Sequence, residues 1–256
     1  MTHDHEGQRV SRRRLITNIG LGSLGLGSVG FGGLLGVRGA GATTVTTSRD
    51  LLAEARACAV TPAVTKGPFY FDANQIRSDI RDGKPGVRLR LAIKVQNSTC
   101  QPLPGALVDL WQCDASGLYS GGERGSMIEH VESREITHDR TWPDLKPTDG
   151  KRYLRGAQLT DAEGVVEFTT IWPGWYPGRT VHIHAMVHMG GTRALTTQLM
   201  FEEELNWQVL SRPPYVQHRG RDTLNASDLY FQNGLLLTVV EDGDGYWGAI
   251  ILSVGS

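Results

Sequence analysis

The chain has 256 residues, with 26 Lys+Arg against 27 Asp+Glu, a formal net charge of −1 and 39% hydrophobic residues. That length and composition suit one or two globular domains with a real core; they exclude a disordered tail, a coiled coil or a polytopic membrane protein. So neutral a balance also argues against nucleic acid as the main partner, since phosphate binding needs a basic excess or patch.

Taken in chain order, residues 1–42 read as an export signal. Ser11-Arg12-Arg13-Arg14 precedes an uncharged Gly/Leu-rich stretch from Asn18 to Val37, which ends in Ala40-Gly41-Ala42. A basic start, a weakly hydrophobic middle and a small-residue end are the parts of a cleavable signal. The Arg12-Arg13 pair with modest hydrophobicity points to the twin-arginine route. So many glycines make the stretch a poor membrane-spanning helix. The expectation is therefore a mildly acidic exported protein, periplasmic or extracellular, with no membrane association once the signal is removed. Residues 43–57 follow as a Ser/Thr-rich linker and a short helix over Leu51–Ala57, capped by Ser48 or Asp50. The main domain is placed at 58–256.

The remaining elements read mostly as strands. Thr61 to Tyr70, with two prolines and a glycine, is an irregular loop. From Val87 to Val95 the apolar period is two, which predicts a half-buried strand. Further strands are predicted at Ala106–Gln112, Val165–Thr169, Thr180–Val187, Leu195–Phe201, Gly234–Glu241 and Trp247–Val254, separated by Gly/Pro turns. Residues 121–153 are polar and aperiodic and read as a long surface loop, a common seat of function. The fold class expected is all-β, an antiparallel β-sandwich with long loops. Three cysteines are present. Cys113 lies in an apparent strand, where a buried free thiol is ordinary, so Cys58 and Cys100 are the expected disulfide pair, with connectivity open.

Thr180-Val181-His182-Ile183-His184-Ala185-Met186-Val187-His188 is the sharpest local feature. On a strand, Val181, Ile183, Ala185 and Val187 take one face and His182, His184 and His188 the other. Two imidazoles so placed can hold one ion, or can simply be satisfied by hydrogen bonds on a polar face. Two tyrosines sharpen the choice. Tyr176 follows Trp172-Pro173-Gly174-Trp175 in the loop before the histidines, and Tyr119 ends a glycine turn after the strand holding Trp111 and reads as exposed. A Tyr₂His₂ set suits a hard trivalent cation such as Fe(III) better than zinc or magnesium.

With these residues in view, the chain resembles the intradiol ring-cleavage dioxygenases, the family of protocatechuate 3,4-dioxygenase and catechol 1,2-dioxygenase. Four blocks carry the likeness in order: Thr61-Pro62 with Gly67-Pro68-Phe69-Tyr70; Pro104-Gly105-Ala106 through Asp109-Leu110-Trp111-Gln112 to Gly117-Leu118-Tyr119-Ser120; Arg155-Gly156 with Thr160-Asp161-Ala162-Glu163-Gly164 and Phe168; and Pro173-Gly174-Trp175-Tyr176-Pro177 with Arg179 and His182-Ile183-His184. The resemblance implies one non-haem Fe(III) per chain held by Tyr119, Tyr176, His182 and His184. It also implies a catechol-type aromatic diol and O₂ as substrates and a cis,cis-muconate-type product. Tyr176 would accept a substrate proton, Arg179 would place a cation beside the ring, and Gln198 would orient ring or hydroxide by hydrogen bonding. His188 matches no ligand. Two departures stand out: only five residues separate Tyr176 from His182, which would leave the metal more open, and the N-terminal helical dimerisation region of catechol 1,2-dioxygenases has no counterpart. A homo-oligomer stays compatible with the sequence. The competing reading is an exported non-catalytic β-sandwich that binds metal or aromatics. A cupin, which also uses His-x-His, would leave both tyrosine blocks unexplained. Trp172 and Trp175 read as packing residues rather than a carbohydrate platform.

Overall fold

A computed structural model describes residues 47–55, 59–123 and 142–255. The export signal placed at 1–42 and the cysteine at 58 lie outside the described residues, as does the middle of the long polar loop. Cys100 is disulfide-bonded, and Cys113 is a buried free thiol.

The described residues begin with helix α1 (Ser48–Glu54). Its cap is Thr47 rather than Ser48 or Asp50: the Thr47 hydroxyl accepts from the Asp50 amide, and the Asp50 carboxylate accepts from the Thr47 amide. This reciprocal pair satisfies two amides that the first turn leaves without helical partners. Leu51 and Leu52 are buried, and the helix packs over strands of the first sheet.

Eight strands follow: β1 (Arg88–Asn97), β2 (Leu107–Trp111), β3 (Arg155–Leu159), β4 (Val165–Ile171), β5 (His182–Met189), β6 (Thr192–Met200), β7 (Thr238–Asp242) and β8 (Gly245–Val254). They form two four-stranded sheets, ordered β4-β1-β8-β7 and β3-β2-β5-β6. The core lies between them. Leu89, Leu91, Ile93 and Val95 of β1 face Val108 and Leu110 of β2 and Val181, Ile183, Ala185 and Val187 around β5 in one apolar cluster. The period of two seen in the sequence thus decides which face is inside.

Most pairings are antiparallel, as expected, but β1 and β8 pair parallel from Leu89↔Tyr246 to Asn97↔Val254. A parallel pair needs a long crossover, and here nearly the whole domain supplies it. Three further differences from the sequence reading have local causes. The strand expected at Gly234–Glu241 starts at Thr238, because 233–235 form a 3₁₀ turn. Strand β3 was not foreseen; it carries buried Arg155 and Gly156, which blunt the apolar signal. Helix α2 (Glu203–Leu210) was also missed, though Glu203 and Glu204 sit in its first turn, where negative charge is favoured. Its Asn206 accepts from the Trp172 indole at 3.1 Å. Trp172 and Trp175 are both buried core residues, as the packing reading requires.

Candidate metal centre

The site is built on the outer face of the second sheet, at the end where β5 begins. Antiparallel register places Trp111 of β2 on one side of His184 and Gln198 of β6 on the other. The indole of Trp111 stacks on the His184 ring at 4.8 Å and 5°, which fixes the plane of the imidazole. His182 lies two residues back on the same face. Its Nδ1 donates to the Thr180 carbonyl at 2.7 Å, so Nε2 is left with its lone pair.

Two loops bring in the tyrosines. Asp114 organises the first: its Oδ1 accepts from the amides of Ser116 and Leu118 and from the Ser116 hydroxyl. Its carbonyl accepts from Gly117 and, across to the second loop, from Gly174. Gly117 has φ +84°, and a Cβ there would lie 2.4 Å from the Trp175 carbonyl oxygen. Only glycine permits both the left-handed turn and this approach. In the second loop Tyr176-Pro177-Gly178-Arg179 closes a turn, with the Arg179 amide bonded to the Tyr176 carbonyl and Gly178 at φ +82°. Proline followed by a positive-φ glycine is the signature of a type II turn. The turn brings Tyr176 and Arg179 side by side.

The result is a convergence of all four side chains singled out by sequence. Tyr176 Oη lies 3.2 Å from His182 Nε2, and His182 Nε2 lies 3.2 Å from His184 Nε2. The Tyr119 and Tyr176 rings are 5.8 Å apart edge to face. Tyr119 is fully buried, against its exposed reading in the sequence, because Phe69 stacks on it at 4.5 Å. Nor is the centre open, as the short loop suggested: Phe69, Tyr70 and Trp111 cluster over it, and the most exposed of the four, Tyr176, is 9% accessible. His188 stands apart near Leu107, Tyr70 and Asp109, away from the convergence.

The donors fit a cation. Burial, with Arg179 near, pushes His182 down to about 3, and burial, with His182 beside it, pushes His184 well below the usual imidazole range. Both rings are therefore neutral and able to ligate. Two neutral rings facing Nε2 to Nε2 satisfy one another only if His184 protonates Nε2, and its buried Nδ1 has no hydrogen-bond partner among the described residues. His182 Nε2 has a single lone pair and two neighbours at 3.2 Å, Tyr176 Oη and His184 Nε2, a crowding that a cation accepting from all three atoms would relieve. Burial also pushes Tyr176 up to about 12 and Tyr119 well above the phenol range. Only a strongly Lewis-acidic ion ionises both, which favours a trivalent one.

Arg179 and Gln198 are beside the cluster, as expected, joined by a hydrogen bond from Arg179 Nη2 to Gln198 Oε1. Gln198 thus reaches Arg179 directly, and its amide nitrogen donates to the Thr65 carbonyl at 3.1 Å. Two site residues escaped the sequence reading. Asp228, 49 positions from Arg179, pairs with its Nε at 2.9 Å. Arg155, 1% exposed, donates to the carbonyls of Phe69 and Ser120 and so ties the Tyr119 loop to the residue stacked upon it. Both are contacts across loops, which no local periodicity signals.

The chain as a whole is similar to known proteins. A solved intradiol ring-cleavage dioxygenase from Tetranychus urticae is 32% identical and superposes with a TM-score of 0.66, over 77% of this chain and 95% of that one. The chain belongs to the intradiol ring-cleavage dioxygenase family. A family model described as "Dioxygenase" matches residues 62–141, which include Tyr119 but stop before Tyr176. The dioxygenase domain of a dioxygenase carbohydrate-binding protein fusion from Streptomyces sp. SirexAA-E is similar at 29% identity and a TM-score of 0.54, covering 76% of this chain and 97% of that one. Among curated relatives, the protocatechuate 3,4-dioxygenase beta chain of Burkholderia cepacia is 30% identical over 145 residues, 53% of each chain. The chain spans about half the length of the curated relatives it matches.

Proposed function

We propose that the protein is a non-haem Fe(III) intradiol dioxygenase that cleaves a catechol-type diol with O₂ to a cis,cis-muconate-type product. The observation that carries this reading is the meeting of Tyr119, Tyr176, His182 and His184 at one buried point. A ferric ion, when bound there, draws electron density from a chelated diol and makes the ring reactive towards O₂.

The chain's own residues do the rest. Tyr119, with no accessible surface and Phe69 stacked on it, is the fixed phenol. Tyr176 sits on a turn and retains some accessible surface, so its Oη is the atom placed to take a proton from an incoming diol hydroxyl. Arg179 holds a buried positive charge beside Tyr176, where negative charge grows as the diol gives up its hydroxyl protons. Gln198 orients Arg179 through its amide oxygen. The aromatic wall of Phe69, Tyr70 and Trp111 keeps water away and matches a flat substrate.

The test is oxygen consumption and muconate absorbance with a panel of catechols, hydroxylated benzenes and lignin-derived diols. Uptake of O₂ without muconate, or neither, removes the dioxygenase reading and leaves a protein that binds metal or aromatics on the same fold. The Arg12-Arg13 pair supports export by the twin-arginine route. Replacing both with Lys is expected to hold the protein in the cytoplasm, as fractionation would show.

A further inference from the structure

We propose that Asp228 is a positioning residue, one that sets the orientation of the Arg179 guanidinium at the metal centre. This rests on the dioxygenase reading for its effect on rate, but on geometry alone for its structural half. The Asp228 carboxylate is fully buried and makes three contacts. Oδ2 accepts from Arg179 Nε at 2.9 Å and from the Thr180 amide at 2.7 Å, and Oδ1 accepts from the Tyr230 amide at 2.8 Å.

The guanidinium is thereby held on three sides. Its Nε edge is on Asp228, its Nη2 is on Gln198, and its face lies over the Tyr230 ring with Cζ 4.7 Å from the centroid. Nη1 makes no hydrogen bond among the described residues, so one edge of a fixed cation stays available to a substrate. Guanidinium is planar, and pinning Nε and Nη2 determines where Nη1 points. A buried arginine also needs a counter-charge, and Asp228 is the carboxylate in contact with it. Because the same Oδ2 holds the Thr180 amide, it ties the guanidinium to the backbone two residues before His182. The cation and the candidate ligand are registered to each other by one atom.

A bare fold staple between 228–230 and the start of β5 would make the same contacts, and a double-mutant cycle separates the two roles. Wild type, Asp228→Asn, Arg179→Met and the double variant are compared in kcat and KM with the best catechol of the panel. The visible tyrosinate band of the iron-loaded protein is recorded for each. Asparagine keeps an acceptor for Thr180 and removes the charge that aligns Arg179. The expected result is a loss of about 10–100-fold in kcat for Asp228→Asn, with a smaller change in KM and an unchanged band. The double variant should be no slower than Arg179→Met. Losses that multiply in the double variant, an unchanged kcat in Asp228→Asn, or loss of the band would each overturn the proposal. If Asp228→Asn does not fold, Asp228→Glu, which shifts the charge by one methylene, replaces it with the same expectations. If wild type cleaves no catechol, the dioxygenase reading has failed on its own account. Crystal structures of wild type and the Asp228 variant then decide: a guanidinium displaced relative to His182 supports the positioning role, and an unmoved one ends it.

Discussion

Tyr176 and Arg179 share one tight turn yet carry separable duties, and substitution should separate them. Tyr176→Phe removes one phenolate donor from the cluster. The iron-loaded protein is expected to be red-brown, and Tyr176→Phe should weaken its visible tyrosinate band and slow turnover; a colourless wild-type protein with full activity contradicts the donor set. Arg179→Ala leaves all four donors in place. It is expected to retain iron, measured by metal analysis, while losing about 10²–10³ in rate, the usual cost of removing a preorganised charge. At this scale the sequence was informative where chemistry is local. Tyr119, Tyr176, His182 and His184 were legible because each lies in a short local block, and it is the blocks in order, rather than the His-x-His spacing, that carry the family resemblance. Asp228 and Arg155 did not, because their partners lie 49 positions away for the former and up to 86 for the latter.

The elements that present these residues are two loops locked together by close backbone approach. Asp114 accepts from Gly117 in its own loop and from Gly174 in the other, and Gly117 lies against the Trp175 carbonyl. Gly117→Ala should therefore disturb both tyrosines at once. The added methyl meets a carbonyl oxygen and the backbone is left-handed, so a loss of about 1–3 kcal/mol in denaturant unfolding is expected, along with weaker iron retention. An alanine variant as stable as wild type would mean that the loops are not coupled there. Strands such as β1 and β5 could be read directly, since alternation of apolar residues follows from the pleat. Strand β3 and helix α2 could not. The first buries a charged residue, and the second covers the core with Val209 while leaving Trp207 exposed, so neither shows a clean period. The capping threonine was displaced by one position from the expected cap, the ordinary uncertainty of a helix end.

At the scale of the whole molecule, Asp109 gives stability a pH dependence of its own. It lies on β2, 8% exposed, on the same sheet face as the metal centre. Burial raises its carboxyl to about 7, with the Tyr70 hydrogen bond and Arg155 opposing. The folded state therefore binds a proton that the unfolded chain releases near pH 4. Stability from this group is present in full below pH 4 and falls as the pH rises from 4 to 7. Comparing urea unfolding of wild type and Asp109→Asn isolates it. The variant should gain on wild type across that window, by a few kcal/mol at most at about 1.4 per pKa unit. A difference that does not vary with pH would show the carboxyl to be ionised throughout.

The parallel pairing of β1 with β8 bears on how the protein is made. Strand β8 is the last of the domain to leave the ribosome, yet it occupies an interior place in its sheet, between β1 and β7. Until it emerges, β1 has only β4 beside it and the apolar inner faces cannot close, so a nascent chain must wait for its final strand. Closure of the domain, and with it any capture of iron, therefore waits until Val254 has left the ribosome.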